Sequence, residues 1–228
     1  MENAVRPIFR PLDRAKPVTI YRRNLPHWRQ EGATYFVTFR LADSIPRSVI
    51  LEWKDADRRW LEANGVNGPL SDPKWREAYV RLPEKRRREF EREAGRRLHV
   101  ELDKCMGSCA LGNPRIAKAV DAAMVHFHGV RLWLGDVAIM PNHVHGLIQP
   151  MPGERLETLL GSAKQYVSRR VAKKAGSFWQ QENYDRIVRD RRELGIWRKY
   201  IRDNPKKLRG NEGCLYRRAD WLDEAAPL

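Results

Sequence analysis

Residues 131–148 read RLWLGDVAIMPNHVHGLI, and the way this stretch divides decides the fold. Its two parts, Arg131 to Met140 and His143 to Ile148, have the apolar, β-prone composition of strands, and only Pro141 and Asn142 separate them. Strands joined by so short a connection form an antiparallel hairpin. On the second strand, side chains two residues apart point the same way, so His143 and His145 converge on one spot while Val144 faces the other side. Two imidazoles in the middle of a sheet either coordinate a divalent metal ion, with room for further ligands and a substrate oxygen, or are polar groups packed in the core.

Working outward, TYFVTFRL (34–41) is β-branched and aromatic, as in a buried strand. Pro46 opens a helix to about Ala63, with Ile50, Trp53, Trp60 and Leu61 at near-helical spacing. A charged stretch from about 65 to 110 follows and reads as a helical insertion. Its run KRRREFEREAGRR (85–97) is read as a solvated helix face laced with ion pairs in preference to a DNA-binding site. Asn113 and Pro114 cap and start a helix whose apolar face is Ile116, Val120, Ala123, Met124 and Phe127.

Beyond the hairpin, Leu156, Leu159, Leu160, Ala163, Tyr166, Val167 and Val171 form one stripe of an amphipathic helix over about 154–174. Lys164, Arg169, Arg170, Lys173 and Lys174 crowd its remainder, and Gly176 ends it. Arg186 to Arg189 make a short fourth strand, Asp190 and Glu193 resemble a capping box for a last helix, and Pro205 stops that helix. The order strand, helix, two strands, helix, strand predicts an α+β chain with a ferredoxin-like antiparallel sheet and an added C-terminal helix. Residues 1–20 read as a loosely held basic N-terminal arm, 21–210 as the domain and 211–228 as a C-terminal tail.

The 228 residues hold 44 Lys and Arg against 29 Asp and Glu, a net charge of +15. Residues 161–210 concentrate it, with 15 basic against 5 acidic side chains. Either the partner is a polyanion or the chain is simply a basic soluble protein. Cys105, Cys109 and Cys214 form no CxxC pair and read as reduced thiols. Without an apolar leader or a long uncharged apolar run, the chain is expected to be cytoplasmic, with no membrane partner.

In the last helix, Tyr200 and Asn204 stand four residues apart and share a face, so a phenol and an amide reach one place. The alternative is that Tyr200 packs in the core beside Leu194, Trp197 and Ile201. Asn204 precedes a proline, which disfavours a fully helical backbone there.

These segments carry a family resemblance. MPNHVHGLI (140–148) and YIRDNP (200–205), separated by the basic helix and by FWQQENYDRIVRD (178–190), resemble the single-tyrosine HUH transposases, closest to those associated with repetitive extragenic palindromes in bacteria. YRRNLPHWRQEGATYFVTFRL (21–41) and NPRIAKAVDAAMVHFHGVRLWL (113–134) are similar to that group as well, and only the charged stretch at about 65–110 lies outside the likeness. The resemblance implies that the helix added to the sheet is catalytic. It makes Tyr200 the nucleophile, His143 and His145 the paired ligands of Mg²⁺ or Mn²⁺, and Asn204 the third ligand, with Val144 as the hydrophobic residue between the histidines.

The implied chemistry is cleavage and rejoining of single-stranded DNA next to hairpins through a 5′-phosphotyrosine, by a monomer or homodimer. Arg22, Arg23, Lys164, Arg169 and Arg170 are the expected phosphate contacts. Trp28, Trp179 and Tyr184 either stack on unpaired bases or belong to the core. Two other functions compete: a non-catalytic DNA-hairpin-binding protein derived from this fold, and an RNA-binding domain, which would need an aromatic RNP1 pattern that the sequence lacks.

Overall fold

The computed structural model of the chain describes residues 7–22, 26–68, 72–171, 177–208 and 213–226. In chain order the elements are β1 (Thr19–Arg22), β2 (Pro26–Arg29), β3 (Tyr35–Arg40), α1 (Arg47–Ala63), α2 (Pro73–Arg81), α3 (Glu84–Leu102), α4 (Pro114–Val125), β4 (Leu132–Ile139), β5 (His143–Pro150), α5 (Leu156–Val171), β6 (Tyr184–Ile187), α6 (Arg191–Asp203) and β7 (Leu215–Arg217). β1 and β2 pair as a ribbon, and the other five strands form one antiparallel sheet in the order β6-β3-β5-β4-β7. Without the edge strand β7 this is the ferredoxin-like arrangement, with β3 and β5 side by side in the centre.

Alternation along β3 and β5 gives the sheet two unlike faces. Tyr35, Val37, Phe39, Val144 and Ile148 enter an apolar core with Val120 and Met124 of α4 and Leu159 and Leu160 of α5. Phe36 and Leu147 face the other way, toward Leu194 and Ile201 of α6. By the same alternation Thr38, Arg40, His143 and His145 share the α6 side.

β4 is broken by a bulge between Leu134 and Val137. Glycine is required at 135, where a Cβ would stand 2.6 Å from the Leu147 Cβ. The bulge lets the buried Asp136 carboxylate meet α6, accepting from Arg198 Nε at 2.8 Å and from the Ala219 N–H at 2.7 Å. Arg198, itself fully buried, also donates to the Ala226 carbonyl and pairs with Asp223 at 2.8 Å. Residues 219–226, expected as a tail, thus fasten α6 from behind.

The charged stretch divides by face. Exposed pairs such as Arg88 with Glu84 and Arg96 with Glu93 lace the outside of α3, as expected. Its inner face carries Phe90, Ala94, Gly95 and Leu102, and Phe90 joins Leu61, Trp75 and Tyr79 in a satellite core. Gly95 admits Tyr184, whose hydroxyl would lie 2.6 Å from an added Cβ. α3 therefore lies against the α6 side of the sheet instead of standing off it.

Smaller departures have local causes. Residues 7–13, expected to hang loosely, are held by bonds from the Leu12 N–H to Val188, from the Thr34 N–H to Arg10 and from the Gln149 amide to Ile8. β6 begins at Tyr184 and not Arg186, because pairing with β3 sets Tyr35 opposite Ile187 and Thr38 opposite Tyr184. Asp190 caps α6 through the Glu193 N–H at 2.7 Å, but Glu193 takes the Arg189 N–H, one residue away from a true capping box. Lys173, Lys174 and Gly176 lie outside the described residues. Among the described residues no helix is long and apolar enough to cross a membrane.

Candidate active site

β5 places His143 Nε2 and His145 Nε2 2.8 Å apart, with both side chains fully buried. Their outer nitrogens are held as well: His143 Nδ1 lies 2.6 Å from Asn142 Oδ1, and His145 Nδ1 lies 2.8 Å from Thr38 Oγ1. The Asn142 nitrogen donates to the carbonyls of Leu102 at 3.2 Å and Met106 at 3.4 Å, so its oxygen must accept. His143 therefore carries its proton on Nδ1, and its Nε2 lone pair points at His145. Two such lone pairs repel unless a proton or a cation lies between them.

Burial, reinforced by His99 and the Lys207 ammonium, pushes His143 down to about 3. The same causes, with His143 added, hold His145 well below its usual value. Neutral imidazole is the form that binds metal.

α6 supplies the other two groups. Tyr200 Oη is 3.4 Å from His145 Nε2, and Lys207 Nζ is 4.5 Å from the Tyr200 ring. Burial raises the Tyr200 phenol above its usual value; Asp103 adds to the shift and Asn204 opposes it. Asn204 is fully buried one turn later. Its amide lies against His143 and Tyr200, yet neither its oxygen nor its nitrogen makes a hydrogen bond of normal geometry. An unsatisfied buried amide costs about 1–3 kcal/mol. Beside two imidazole nitrogens its oxygen completes a donor set that fits a divalent cation.

The backbone at Asn204 is helical, at φ −58° and ψ −47°, against the bias imposed by the following proline. The chain runs on as a 3₁₀ turn, Asn204–Lys207, in which Pro205 sits at the start, where no N–H is needed.

Sequence reasoning missed His99. From α3 it places Nε2 3.4 Å from Thr38 Oγ1, with its ring centroid 5.4 Å from that of His145 and 5.3 Å from that of Tyr200. Burial, with the Lys207 charge, holds it down to about 3. The available signal was a lone histidine four residues after Gly95, hence on the same helix face, inside an otherwise charged run. Lys207 pairs with Asp103 at 2.8 Å, tying the end of α3 to the turn after α6.

Of the expected phosphate contacts, Lys164, Arg169 and Arg170 lie on α5. Arg169 and Arg170 are exposed on α5, across the sheet from the histidines, and Arg170 lies 3.7 Å over the Tyr166 ring. Lys164, on the same helix, donates to the Gln180 carbonyl at 2.7 Å. The Arg22 side chain and all of Arg23 lie outside the described residues. Trp179, Trp28 and Tyr184 pack into or against the cores, with the two indole N–H groups bonded to Lys164 O and Glu91. Among the described residues no group of three His, Cys, Asp or Glu could hold a metal, so the set at this site depends on the amide.

Residues 127–204 match the family described as transposase IS200 like, a span under half of the chain that contains both histidines, Tyr200 and Asn204. Among solved structures the chain is similar to a REP-associated tyrosine transposase bound to a REP hairpin, at 13% identity over 82% of this chain and 72% of that one, with a TM-score of 0.42. No match is found among curated proteins.

Proposed function

We propose that this chain, whose residues 127–204 are an IS200-like transposase segment, cleaves and rejoins single-stranded DNA beside hairpins through a covalent bond to Tyr200. The observation that carries the proposal is the approach of the Tyr200 hydroxyl to within 3.4 Å of a buried histidine pair, with the unpartnered amide of Asn204 one turn away. A tyrosine kept only for packing needs neither neighbour.

His143, His145 and Asn204 would hold Mg²⁺ or Mn²⁺. When bound, such an ion supplies positive charge to a phosphate oxygen and lowers the pKa of the nearby phenol. Attack of Tyr200 Oη on phosphorus forms the 5′-phosphotyrosine bond and breaks the bond to the 3′ oxygen. That oxygen leaves as a hydroxyl, so the proton given up by the phenol is balanced. The new linkage is again a phosphodiester, and a second 3′ end can reverse the step without ATP. Asn142 and Thr38 fix the two rings by their outer nitrogens, which orients the inner nitrogens before substrate arrives. Phe36, stacked on Trp197 at 3.9 Å, keeps water from one side of the site.

The test is a denaturing gel of the protein with labelled hairpin DNA and Mg²⁺ or Mn²⁺, followed by peptide mapping of the shifted band. An adduct at Tyr200 that vanishes in Tyr200→Phe is the expected result. An adduct at Tyr166, across the sheet, or at the half-buried Tyr184 would refute the assignment. Binding of the hairpin with no adduct under any condition would make the protein a binding module.

A further inference from the structure

Between α1, α3 and the end of β3 lies a cleft of about 600 Å³, within the range of pockets that enclose small ligands. Its floor includes Thr38 and Arg40, which stand opposite His145 and His143 on the adjacent strand. Thr38 is the residue whose hydroxyl meets His145 Nδ1, so the cleft and the histidine site share a wall. Trp53 and Leu98 supply an apolar side.

The charges around the cleft do not cancel. Asp57 is taken by Arg97, Glu62 by Arg58, and Glu182 by His27. Arg40 is 8% exposed, and its Nη1 donates to the Leu41 carbonyl at 3.3 Å and the Ser44 hydroxyl at 3.0 Å. Among the described residues no carboxylate comes within ion-pair distance of it. Burying the guanidinium is costly and lowers its pKa to about 10, opposed by the Glu182 carboxylate, which acts on it from beyond ion-pair distance and is itself engaged by His27. An anion seated in the cleft would offset that cost, with charge-assisted hydrogen bonds.

We propose that this cleft binds one unpaired nucleotide of the DNA strand, next to the scissile phosphate, with Arg40 on that nucleotide's phosphate and the base against Trp53 and Leu98. Adjacent antiparallel strands set Arg40 and His143 roughly 5 Å apart at Cα, so neighbouring positions on one strand fall on neighbouring residues of the sheet. The pocket rests on the strand-transfer function proposed above, and it gives the stretch at about 65–110 a task, since α3 forms one of its walls.

The test is ¹H–¹⁵N NMR of the whole protein, titrated separately with the four deoxynucleoside 5′-monophosphates and with inorganic phosphate. Mononucleotides are the suitable probe because longer strands would coat a protein of charge +15. At least one of the four should shift the Trp53 indole N–H and the Arg40 Nε–H together. Arg40→Met should weaken that binding about tenfold or more, and Arg40→Lys less. Ile50→Trp, which fills the cleft and leaves Arg40 in place, should abolish it. No Trp53 shift with any mononucleotide, equal shifts with phosphate alone, or indifference to both Arg40→Met and Ile50→Trp would overturn the pocket. The adduct assay is read at Tyr200 and this titration at Trp53. An adduct without Trp53 shifts therefore overturns the pocket alone, and Trp53 shifts without an adduct overturn strand transfer alone.

Discussion

The two faces of the sheet are built from the same strands and obey opposite rules. On the α4 and α5 side, Val144 and Ile148 sit in a continuous apolar core. On the α6 side, one residue along, His143 and His145 are just as buried beside Thr38, Asn142 and Asn204. The first face gains stability from area removed from water, whereas the second holds polar groups whose burial costs free energy unless each finds a partner. The difference teaches that burial alone does not sort core from site; what sorts them is whether buried polar atoms are satisfied within the protein.

The sharpest break of this contrast is Tyr200→Phe. The ring continues to pack near Phe36, so unfolding curves should barely move while the covalent adduct disappears completely. An adduct surviving in this variant would place the nucleophile elsewhere.

Acid comes next. His99 and His143 titrate near 6.5 when unfolded and at about 3 when folded. Their neutral burial therefore adds no penalty above pH 6.5, and stability is lost as pH falls from 6.5 toward 3, because the unfolded chain binds the protons first. Urea melts of metal-free protein across that range should show the loss, and it should shrink in His99→Gln. A flat profile would mean that these rings are open to water.

Arg198→Met should cost about 3–5 kcal/mol, because Asp136 would be left buried without its cation. Chemical denaturation measures it, and a double variant with Asp136→Leu should recover part of the loss. On the opposite face Ile148→Ala should cost about 2–5 kcal/mol by leaving a cavity, with adduct yield per folded molecule unchanged. The smallest change is Thr38→Val. Without the hydroxyl, His145 loses the partner of its outer nitrogen, and Mn²⁺ affinity measured by calorimetry should fall about 10–100-fold with little effect on folding.

What the sequence made legible follows the same division. The hairpin, the core strand at 34–41 and the pairing of His143 with His145 depend on a period of two, and Tyr200 with Asn204 on a helical turn; both are local patterns. His99 was hidden because α3 is charged on most of its circumference, and the face that matters is defined only by the sheet it lies against. Lys164 reads as a phosphate contact from its helix alone; the bond it also gives to the Gln180 carbonyl joins it to the segment before β6, which no local pattern shows. The hold on residues 7–13 left no periodic trace, since it consists of scattered backbone bonds to Val188, Thr34 and Gln149.

The clasp on Arg198 has a consequence for biosynthesis. Tyr200 and its helix are made before Asp223 and Ala226, the residues that complete the partners of that guanidinium. During translation the site's histidines and tyrosine all exist while the back of α6 is still open. Locking of the Tyr200 helix thereby waits for residues 223–226, and a premature stop before residue 223 would yield a protein with His143, His145, Tyr200 and Asn204 all present and α6 unclasped.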